Sequence, residues 1–207
     1  YNFNLILIYR DKIKKTATKL SLKKIVIFAS GSGSSVENIL LSYKNTPEII
    51  VSKLYCNKPE AFVLQRIKKY NIETLVFNSE ELNNGFVLRD LNKISPDLIV
   101  LAGFLKKIPE NIIDAFENKI INIHPSLLPK HGGKGMYGLN VHRSVIKNND
   151  SESGFSIHYV NKDYDEGSII FQKTVKVHTD DPQILANKVL IQEHKYYPEI
   201  IKKILDD

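Results

Sequence analysis

The 207-residue sequence predicts an α/β fold with a mainly parallel central sheet of about seven strands and helices on both faces. Short apolar runs of strand length alternate with segments in which apolar residues recur at helical spacing. Two of these runs, KKIVIFAS and DLIVLA, are apolar almost throughout, as expected for strands that are covered on both faces. No repeat or low-complexity linker interrupts the pattern, so we expect a single domain.

The first part of the chain is predicted to fold as strand–helix pairs. The predicted strands there are 24–30, 48–56, 72–77, 97–102 and 120–124. The first helix follows the turn GSGSS, and the later ones are predicted at 59–70, 79–94 and 109–116. Within the helix predicted at 79–94, Asn83-Asn84-Gly85 is a run of three poor helix formers that disfavours a continuous helix there.

The character of the sequence changes after 140–147. Strands are predicted at 154–160 and 168–177, joined only by a short acidic loop, and a long helix is predicted at 182–205. Ligand sites in folds of this class lie at the carboxyl ends of the sheet strands. The end of the strand at 120–124 is therefore a candidate for the wall of a binding cleft.

The formal charge of +6 at pH 7 is concentrated near the N-terminus. Residues 1–24 hold 7 of the 29 Lys and Arg residues but only 1 of the 23 Asp and Glu residues. Residues 25–207 therefore carry 22 basic and 22 acidic side chains. A neutral body does not support a basic nucleic-acid-binding face, so we expect small-molecule partners and no nucleic acid.

Cysteine and apolar content bound the cellular setting. A single cysteine, Cys56, allows no internal disulfide, which suits a reducing cytoplasm. No run approaches the roughly 18–20 apolar residues that a membrane span needs, so we predict no membrane contact and a cytoplasmic location. Residues 1–21 are predicted to be an extension outside the single domain at 22–207. A targeting or nucleic-acid arm is the alternative for that extension, and a monomer and a homodimer both remain open.

The turn GSGSS, between the first predicted strand and helix, offers free backbone N–H groups and a helix N-terminus that can hold a phosphate. It is a poor dinucleotide fingerprint, because Val36 occupies the third glycine position and no carboxylate follows the strand at 48–56. Two interpretations remain, a monophosphate site and a plain tight turn.

Asn122 and His124 alternate along one strand, so their side chains point to one face. An amide can donate to a developing oxyanion, and an imidazolium can do the same and then pass on a proton. This pair therefore favours acyl-transfer chemistry. The alternative is that His124 is a hydrogen-bonded core residue at a strand end.

Such a histidine needs a partner to be charged near neutral pH. The run DYDEG at 163–167 offers carboxylates, and we expect one of them to raise the pKa of His124. The alternative for this run is a solvated acidic turn. The six His and Cys56 lack HxxxH or CxxC spacing, so no metal is expected. The loop KHGGKGMYG at 130–138 is either a mobile lid or a surface loop.

Six segments together resemble the phosphoribosylglycinamide formyltransferase family of folate-dependent enzymes. They are IVIFASGSGSSVENI, NKPEAFVLQRIKKYNI, VLAGFLKKIP, INIHPSLLPKHGGKG, SIHYVNKDYDEGSII and QEHKYYP. The resemblance covers roughly residues 22–205 and implies a Rossmann-like formyltransferase fold. It also implies transfer of the formyl group of 10-formyltetrahydrofolate to the amine of 5'-phosphoribosylglycinamide in purine (IMP) biosynthesis, without a metal.

The same resemblance implies roles for particular residues. The implied catalytic set is Asn122, His124 and Asp165. The residues implied to bind the ribonucleotide are Gly33, Ser34 and Ser35 at its phosphate and Glu193 at its glycinamide. The residues implied to contact the folate are Leu105, Lys106, Lys107, Ile108 and Asn122. His158 is implied to lie near the site.

The sequence departs from the family pattern in three places. Ser35 stands where the family commonly has Asn, and Leu105-Lys106 stands where it often has Met-Arg. Lys106 is a point charge and lacks the planar fork of Arg. The segment GKGMYG lengthens the loop after HPSLLPK.

Related activities share the NIHPSLLP core. Methionyl-tRNA formyltransferase carries a further C-terminal domain and calls for a basic body, and formyltetrahydrofolate hydrolase carries an N-terminal regulatory domain. A nucleotide-sugar formyltransferase fits the QEHKYYP segment less well. An inactive ribonucleotide- or folate-binding module is the non-enzymatic alternative, and the joint presence of Asn122, His124 and Asp165 disfavours it.

Overall fold

The computed structural model describes residues 22–207, and the extension predicted at 1–21 lies outside the described residues. The strands are β1 (Lys23–Ala29), β2 (Ile49–Cys56), β3 (Glu73–Val76), β4 (Leu98–Leu101), β5 (Ile120–His124), β6 (Glu152–Tyr159) and β7 (Ile169–Lys176). The helices are α1 (Ser34–Tyr43), α2 (Phe62–Arg66), α3 (Ser79–Asn83), α4 (Phe86–Ile94), α5 (Glu110–Ala115), α6 (Leu139–Lys147) and α7 (Pro182–Asp206), and Lys68–Tyr70 forms a 3₁₀ turn.

The seven strands form one sheet in the order β3-β2-β1-β4-β5-β6-β7. Strands β1 to β5 pair in parallel, and β6 and β7 join antiparallel at the β5 side. The predicted α/β class with a mainly parallel seven-stranded sheet is confirmed. The change of direction falls beside β5, so the strand that carries Asn122 and His124 has a parallel neighbour on one side and an antiparallel one on the other.

Alternating side chains of the buried strands feed two cores, one on each face of the sheet. Along β1, Ile25 and Ile27 pack into the core beneath α1 and α7, whereas Val26 and Phe28 pack into the core beneath α4 and α5. All four are fully buried, as the continuous apolar run predicts. Across the described part of the chain, no helix is both long and apolar enough to cross a membrane.

Two helix predictions need correction. The helix predicted at 59–70 is only α2 followed by the 3₁₀ turn, because Ala61 is extended and the Val63 N–H donates to the Gly31 carbonyl across 3.0 Å. The helix predicted at 79–94 is two helices, because Gly85 has a left-handed φ of 84° that no helix interior accepts. The first of the two helices begins with a capping box on its N-cap residue, Asn78.

A proline inside α7 shapes the contact between α7 and α1. Pro198 has no backbone N–H, so the His194 carbonyl one turn earlier loses its helical donor. The Asn38 side-chain amide on α1 donates to that carbonyl instead. The Pro198 carbonyl in turn accepts from the Tyr43 hydroxyl at 2.6 Å. The two helices are thus joined by two side chains of α1 that donate to backbone carbonyls of α7, one of which the proline leaves without its helical donor.

We expect Asn38→Ala to lower the free energy of unfolding by about 1 kcal/mol, because the His194 carbonyl loses its donor. In a Pro198→Ala background the same change should cost much less, since the N–H restored at position 198 reaches that carbonyl. Urea unfolding of the four proteins of this double-mutant cycle measures the difference. An equal cost of Asn38→Ala in both backgrounds would contradict the assignment.

Candidate active site

The carboxyl end of β5 presents Asn122 and His124 to one side of the sheet. Its antiparallel neighbour β6 places His158 opposite Asn122 and Ser156 opposite His124. His124 is only 4% exposed, and His158 is buried as well. Two imidazoles and an amide therefore meet where the parallel part of the sheet ends.

Both ring nitrogens of His124 face acceptors. Nε2 lies 2.8 Å from the His131 carbonyl oxygen, to which it donates. Nδ1 lies 3.4 Å from Oδ2 of Asp165. Because the carbonyl fixes the proton on Nε2, Nδ1 is the ring nitrogen left for chemistry in the neutral imidazole.

Asn122 is held by the second histidine. His158 Nδ1 lies 2.8 Å from the Tyr159 carbonyl oxygen, which places the ring proton there. The lone pair of His158 Nε2 then accepts from the Asn122 amide nitrogen at 3.1 Å. The amide carries two hydrogens, so one of them is oriented by His158 and the second stays available for a ligand.

Asp165 is carried by the β6–β7 loop in a left-handed conformation with φ 58°. The Gly133 N–H donates to its Oδ2 at 2.9 Å, and Oδ1 lies 3.6 Å from His158 Nε2. Gly167 lets this loop approach β6, since a Cβ there would lie 1.7 Å from the Tyr159 carbonyl oxygen. The acidic run therefore turns inward at Asp165 and is not a purely solvated turn.

Burial and the neighbouring groups together set the charges of His124 and Asp165 in the free protein. It lowers the pKa of His124, and the nearby Asp165 carboxylate and His131 carbonyl oppose that shift without overcoming it. The carboxylate therefore acts on the pKa of His124 in the expected direction, but burial outweighs it, so the expectation of a histidine charged near neutral pH is not met. Burial also pushes the pKa of Asp165 upward, but His158, His124 and the Gly133 N–H more than offset it and leave that pKa below 3.8.

These side chains line a cavity of about 730 Å³, within the range of small-molecule sites. Ser34 and Ser35 reach it from the first turn of α1, and Gly33 supports them as the N-cap residue with φ 74°. The cavity walls also include all four residues of the segment 105–108. The residues that the sequence pattern and resemblance single out thus converge on one cavity, although Gly33 contributes only backbone geometry.

The segment 105–108 is anchored to β1. The Ser30 hydroxyl accepts from the Leu105 N–H at 3.0 Å and donates to the Asn57 side chain at 2.6 Å. Ser30 is 3% exposed, and sequence reasoning did not single it out. Its position directly after the β1 strand, where sites of this fold class lie, is the signal that could have identified it.

Glu193 faces the cavity from α7. It is 8% exposed, and its burial raises the pKa of the carboxyl from 4.5 to about 7. Within residues 22–207, Glu193 forms no salt bridge with a Lys, Arg or His side chain. A carboxyl of this kind is suited to bind hydroxyl or amino groups of a ligand.

His142 on α6 is a further cavity residue that sequence reasoning missed. Burial lowers its pKa to about 4, and its Nδ1 has no hydrogen-bond partner among residues 22–207. Residues 133–138 of the glycine-rich loop at 130–138 also line the cavity, so this part of the loop forms a wall of the site. Within the described residues, no group of three or more His, Cys, Asp or Glu side chains is arranged to hold a metal.

Fold and site together define an α/β protein equipped for acyl-group chemistry at a strand end, with oxyanion donors beside a buried imidazole–carboxylate pair. Comparison with known proteins gives the family. The chain belongs to the Formyl transferase family, which it matches over residues 23–201.

The relatives described next carry the same enzyme name. The chain is 33% identical to phosphoribosylglycinamide formyltransferase of Escherichia coli over 88% of this chain and 87% of the relative. It is 36% identical to the chloroplastic enzyme of Arabidopsis thaliana, of which it spans 66%. Among solved structures, phosphoribosylglycinamide formyltransferase from Anaplasma phagocytophilum superposes with a TM-score of 0.80 at 32% identity, covering 89% of this chain and 88% of that one. The chain spans about two thirds of the length of the two plant relatives.

We predict that His124 titrates below pH 6.5 and that Asp165→Asn lowers its midpoint further, because the carboxylate opposes the effect of burial. NMR titration of the ring protons measures both values. Glu166→Gln, at an exposed position of the same loop outside the cavity wall, is the control and should leave the midpoint unchanged. An upward shift in Asp165→Asn would contradict this account.

Glu193 makes a separate prediction for stability. Its folded pKa of about 7 exceeds the ordinary 4.5, so stability is lost as the pH rises from about 4.5 to about 7 and the buried carboxyl ionises. Glu193→Gln cannot ionise, and its Tm relative to wild type should therefore increase between about pH 4.5 and about pH 8. The Tm difference between Glu199→Gln and wild type should not change with pH, because Glu199 is at an exposed position on α7. A flat profile for Glu193→Gln would disprove the prediction.

Proposed function

We propose that the protein is a phosphoribosylglycinamide formyltransferase, which transfers the formyl group of 10-formyltetrahydrofolate to the amine of 5'-phosphoribosylglycinamide. The products are formylglycinamide ribonucleotide and tetrahydrofolate, in purine biosynthesis. One observation carries the proposal: Asn122, His124 and Asp165 meet at the wall of a cavity that also holds a helix N-terminus and an apolar segment with two lysines. The names of the relatives support the same reaction.

The ribonucleotide binds at the α1 end of the cavity. No side chain caps α1 at Gly33 in the described part of the chain, so its first N–H groups and the hydroxyls of Ser34 and Ser35 are free for the phosphate. Glu193 holds the glycinamide part. The acceptor amine is thereby directed toward the end of β5.

The folate binds along the segment after β4. Leu105 and Ile108 supply apolar contact for its ring system, and Lys106 and Lys107 complement the carboxylates of its glutamate. Asn122 contacts the donor at the formyl end. 10-Formyltetrahydrofolate is a co-substrate in this reaction, and no metal takes part.

Formyl transfer proceeds by addition and elimination. The acceptor amine forms a bond to the formyl carbon, and the carbonyl electron pair moves to oxygen, where the Asn122 amide donates to the oxyanion. Nδ1 of His124 takes the proton that the amine releases, and Asp165 stabilises the resulting imidazolium. The proton then passes to the folate nitrogen, the carbon–nitrogen bond to the folate breaks, and the formyl amide and tetrahydrofolate leave.

The lowered pKa of His124 fits this sequence of steps. The ring is neutral in the free protein at neutral pH and can accept a proton, whereas the ionised Asp165 at 3.4 Å makes the charged ring tolerable during the reaction. A histidine charged from the start, as the sequence suggested, would have no lone pair for the amine proton. The carboxylate therefore acts on the intermediate.

A transfer assay separates this function from its alternatives. Purified protein is mixed with 10-formyltetrahydrofolate, and the absorbance change on deformylation is followed with and without 5'-phosphoribosylglycinamide. We expect deformylation only with the ribonucleotide. Deformylation without it would indicate a hydrolase, and folate binding without turnover would indicate an inactive binding module.

The partners and location of the enzyme are predicted from its charge and from the names of its relatives. Its substrates are small molecules, and the neutral charge of residues 25–207 disfavours nucleic acid as a partner. The cytoplasmic location expected from the sequence stays a prediction, since two plant relatives are chloroplastic by name. The choice between monomer and homodimer also stays open.

We expect His124→Ala and Asp165→Ala each to lower turnover by at least about 100-fold, since electrostatic groups of this kind are worth about 10²–10³-fold in rate. Steady-state assays with both substrates saturating give the values, and circular dichroism checks that each variant is folded. Glu166→Ala, an exposed acidic position of the same loop that does not line the cavity, is the matched control and should keep near-normal turnover. Near-normal turnover in either test variant would remove that residue from the catalytic set.

A further inference from the structure

A hydrogen-bonded group of His131, Ser144 and Asp150 lies behind the active site. The His131 ring sits between the loop after α6 and α6 itself, with its Nε2 2.6 Å from Oδ2 of Asp150 and its Nδ1 2.8 Å from Oγ of Ser144. The side chain of His131 is 6% exposed and that of Asp150 is 19% exposed. No role in catalysis or binding has been assigned above to any of these three side chains.

For a neutral His131 ring, the hydrogen-bond roles follow from its two partners. A carboxylate only accepts, so His131 Nε2–H donates to Asp150. The lone pair on Nδ1 then accepts from the Ser144 hydroxyl, and a neutral ring satisfies both bonds. The ring is therefore locked at both ends by side chains from outside its own loop.

The backbone next to this ring holds the catalytic pair. The His131 carbonyl accepts from His124 Nε2, and the Gly133 N–H, two residues later, donates to Asp165 Oδ2. Between them, a Cβ on Gly132 would lie 2.6 Å from Leu128 and 3.4 Å from the Asp165 Cβ, so the strip 131–133 packs tightly against the site. One three-residue strip of backbone thus orients both the imidazole and the carboxylate.

This strip adopts a conformation that its sequence does not favour by itself. His131 has φ 55° and Gly133 has φ 94°, both in the left-handed region. A non-glycine residue there is uncommon and needs support from its surroundings. The bonds of the His131 ring to Ser144 and Asp150 supply that support, and they determine where the His131 carbonyl points.

We propose that His131 is a positioning residue for the transfer reaction: its side chain, anchored on Asp150 and Ser144, sets the backbone carbonyl that orients the His124 ring. The inference rests on the proposed function for its kinetic consequence only. The orientation of the His124 ring is a property of the free protein and can be measured without turnover.

The test uses the full chain with His131→Phe and Asp150→Ala. His131→Phe keeps a ring and the backbone carbonyl but removes both anchoring bonds, and Asp150→Ala removes the acceptor. Each should lower kcat roughly 10–100-fold, as misplacement of a catalytic group does, while KM for the ribonucleotide stays within about twofold. The kcat of the double variant should be no lower than that of the worse single variant, because both changes break the same hydrogen bond between His131 and Asp150.

A second readout reports on His124 directly. In protein with ¹⁵N-labelled histidine, the Nε2–H of His124 should give a resonance protected from exchange with water in the wild type. That protection should disappear in His131→Phe and Asp150→Ala. Lys130→Met is the matched control, since Lys130 also contacts Asp150, at 3.3 Å, but its side chain is 71% exposed and such pairs contribute little.

The outcomes are distinct. Loss of kcat together with loss of Nε2–H protection supports the proposal, whereas unchanged kcat or unchanged protection overturns it. If neither main variant folds, Ser144→Ala decides by the same two readouts, because alanine suits its position on α6. A wild-type protein without transferase activity would refute the proposed function, and the protection measurement would still test the positioning of His124.

Discussion

The hydrogen bond from His124 Nε2 to the His131 carbonyl is the interaction on which the site depends. A buried imidazole needs partners for both nitrogens, and this bond fixes one proton so that the other nitrogen faces Asp165. The carbonyl can occupy this position only because the chain after β5 turns back beneath the strand end. The strand ends at His124 because Pro125 has no N–H for the ladder and the Ser126 N–H turns back to the His124 carbonyl at 2.9 Å.

A polar network under the HPSLLP segment makes that return possible. The Ser156 hydroxyl on β6, fully buried opposite His124, donates to the Ser126 carbonyl and accepts from the Leu128 N–H. Gln172 on β7 donates to the Leu128 carbonyl. The two antiparallel strands therefore stabilise the loop through side chains, which satisfy backbone groups that no regular structure pairs.

Local patterns in the sequence account for the sheet and for the location of the site. The strand at 120–124 and the shared face of Asn122 and His124 follow from a period of two. The weak point at Asn83-Asn84-Gly85 was recognised, but one helix was predicted across it, and the short α2 was missed. A left-handed glycine and a bond from the Val63 N–H to the Gly31 carbonyl override helical spacing at these places. The sign of the pKa shift of His124 could not be predicted either, since it depends on how deeply the ring is buried.

Burial has opposite effects on the acids and bases of the cavity, and the balance determines its resting charge. It lowers the pKa of His124 and His142 and raises that of Glu193, so these groups tend toward their neutral forms. Asp165 alone among these four is shifted toward its charged form, because His158, His124 and the Gly133 N–H favour the carboxylate and lower its pKa. The free cavity therefore holds one stabilised negative charge beside a neutral imidazole. A positive charge that arises on this imidazole during a reaction meets its counter-ion already in place, so little reorganisation is required at that moment.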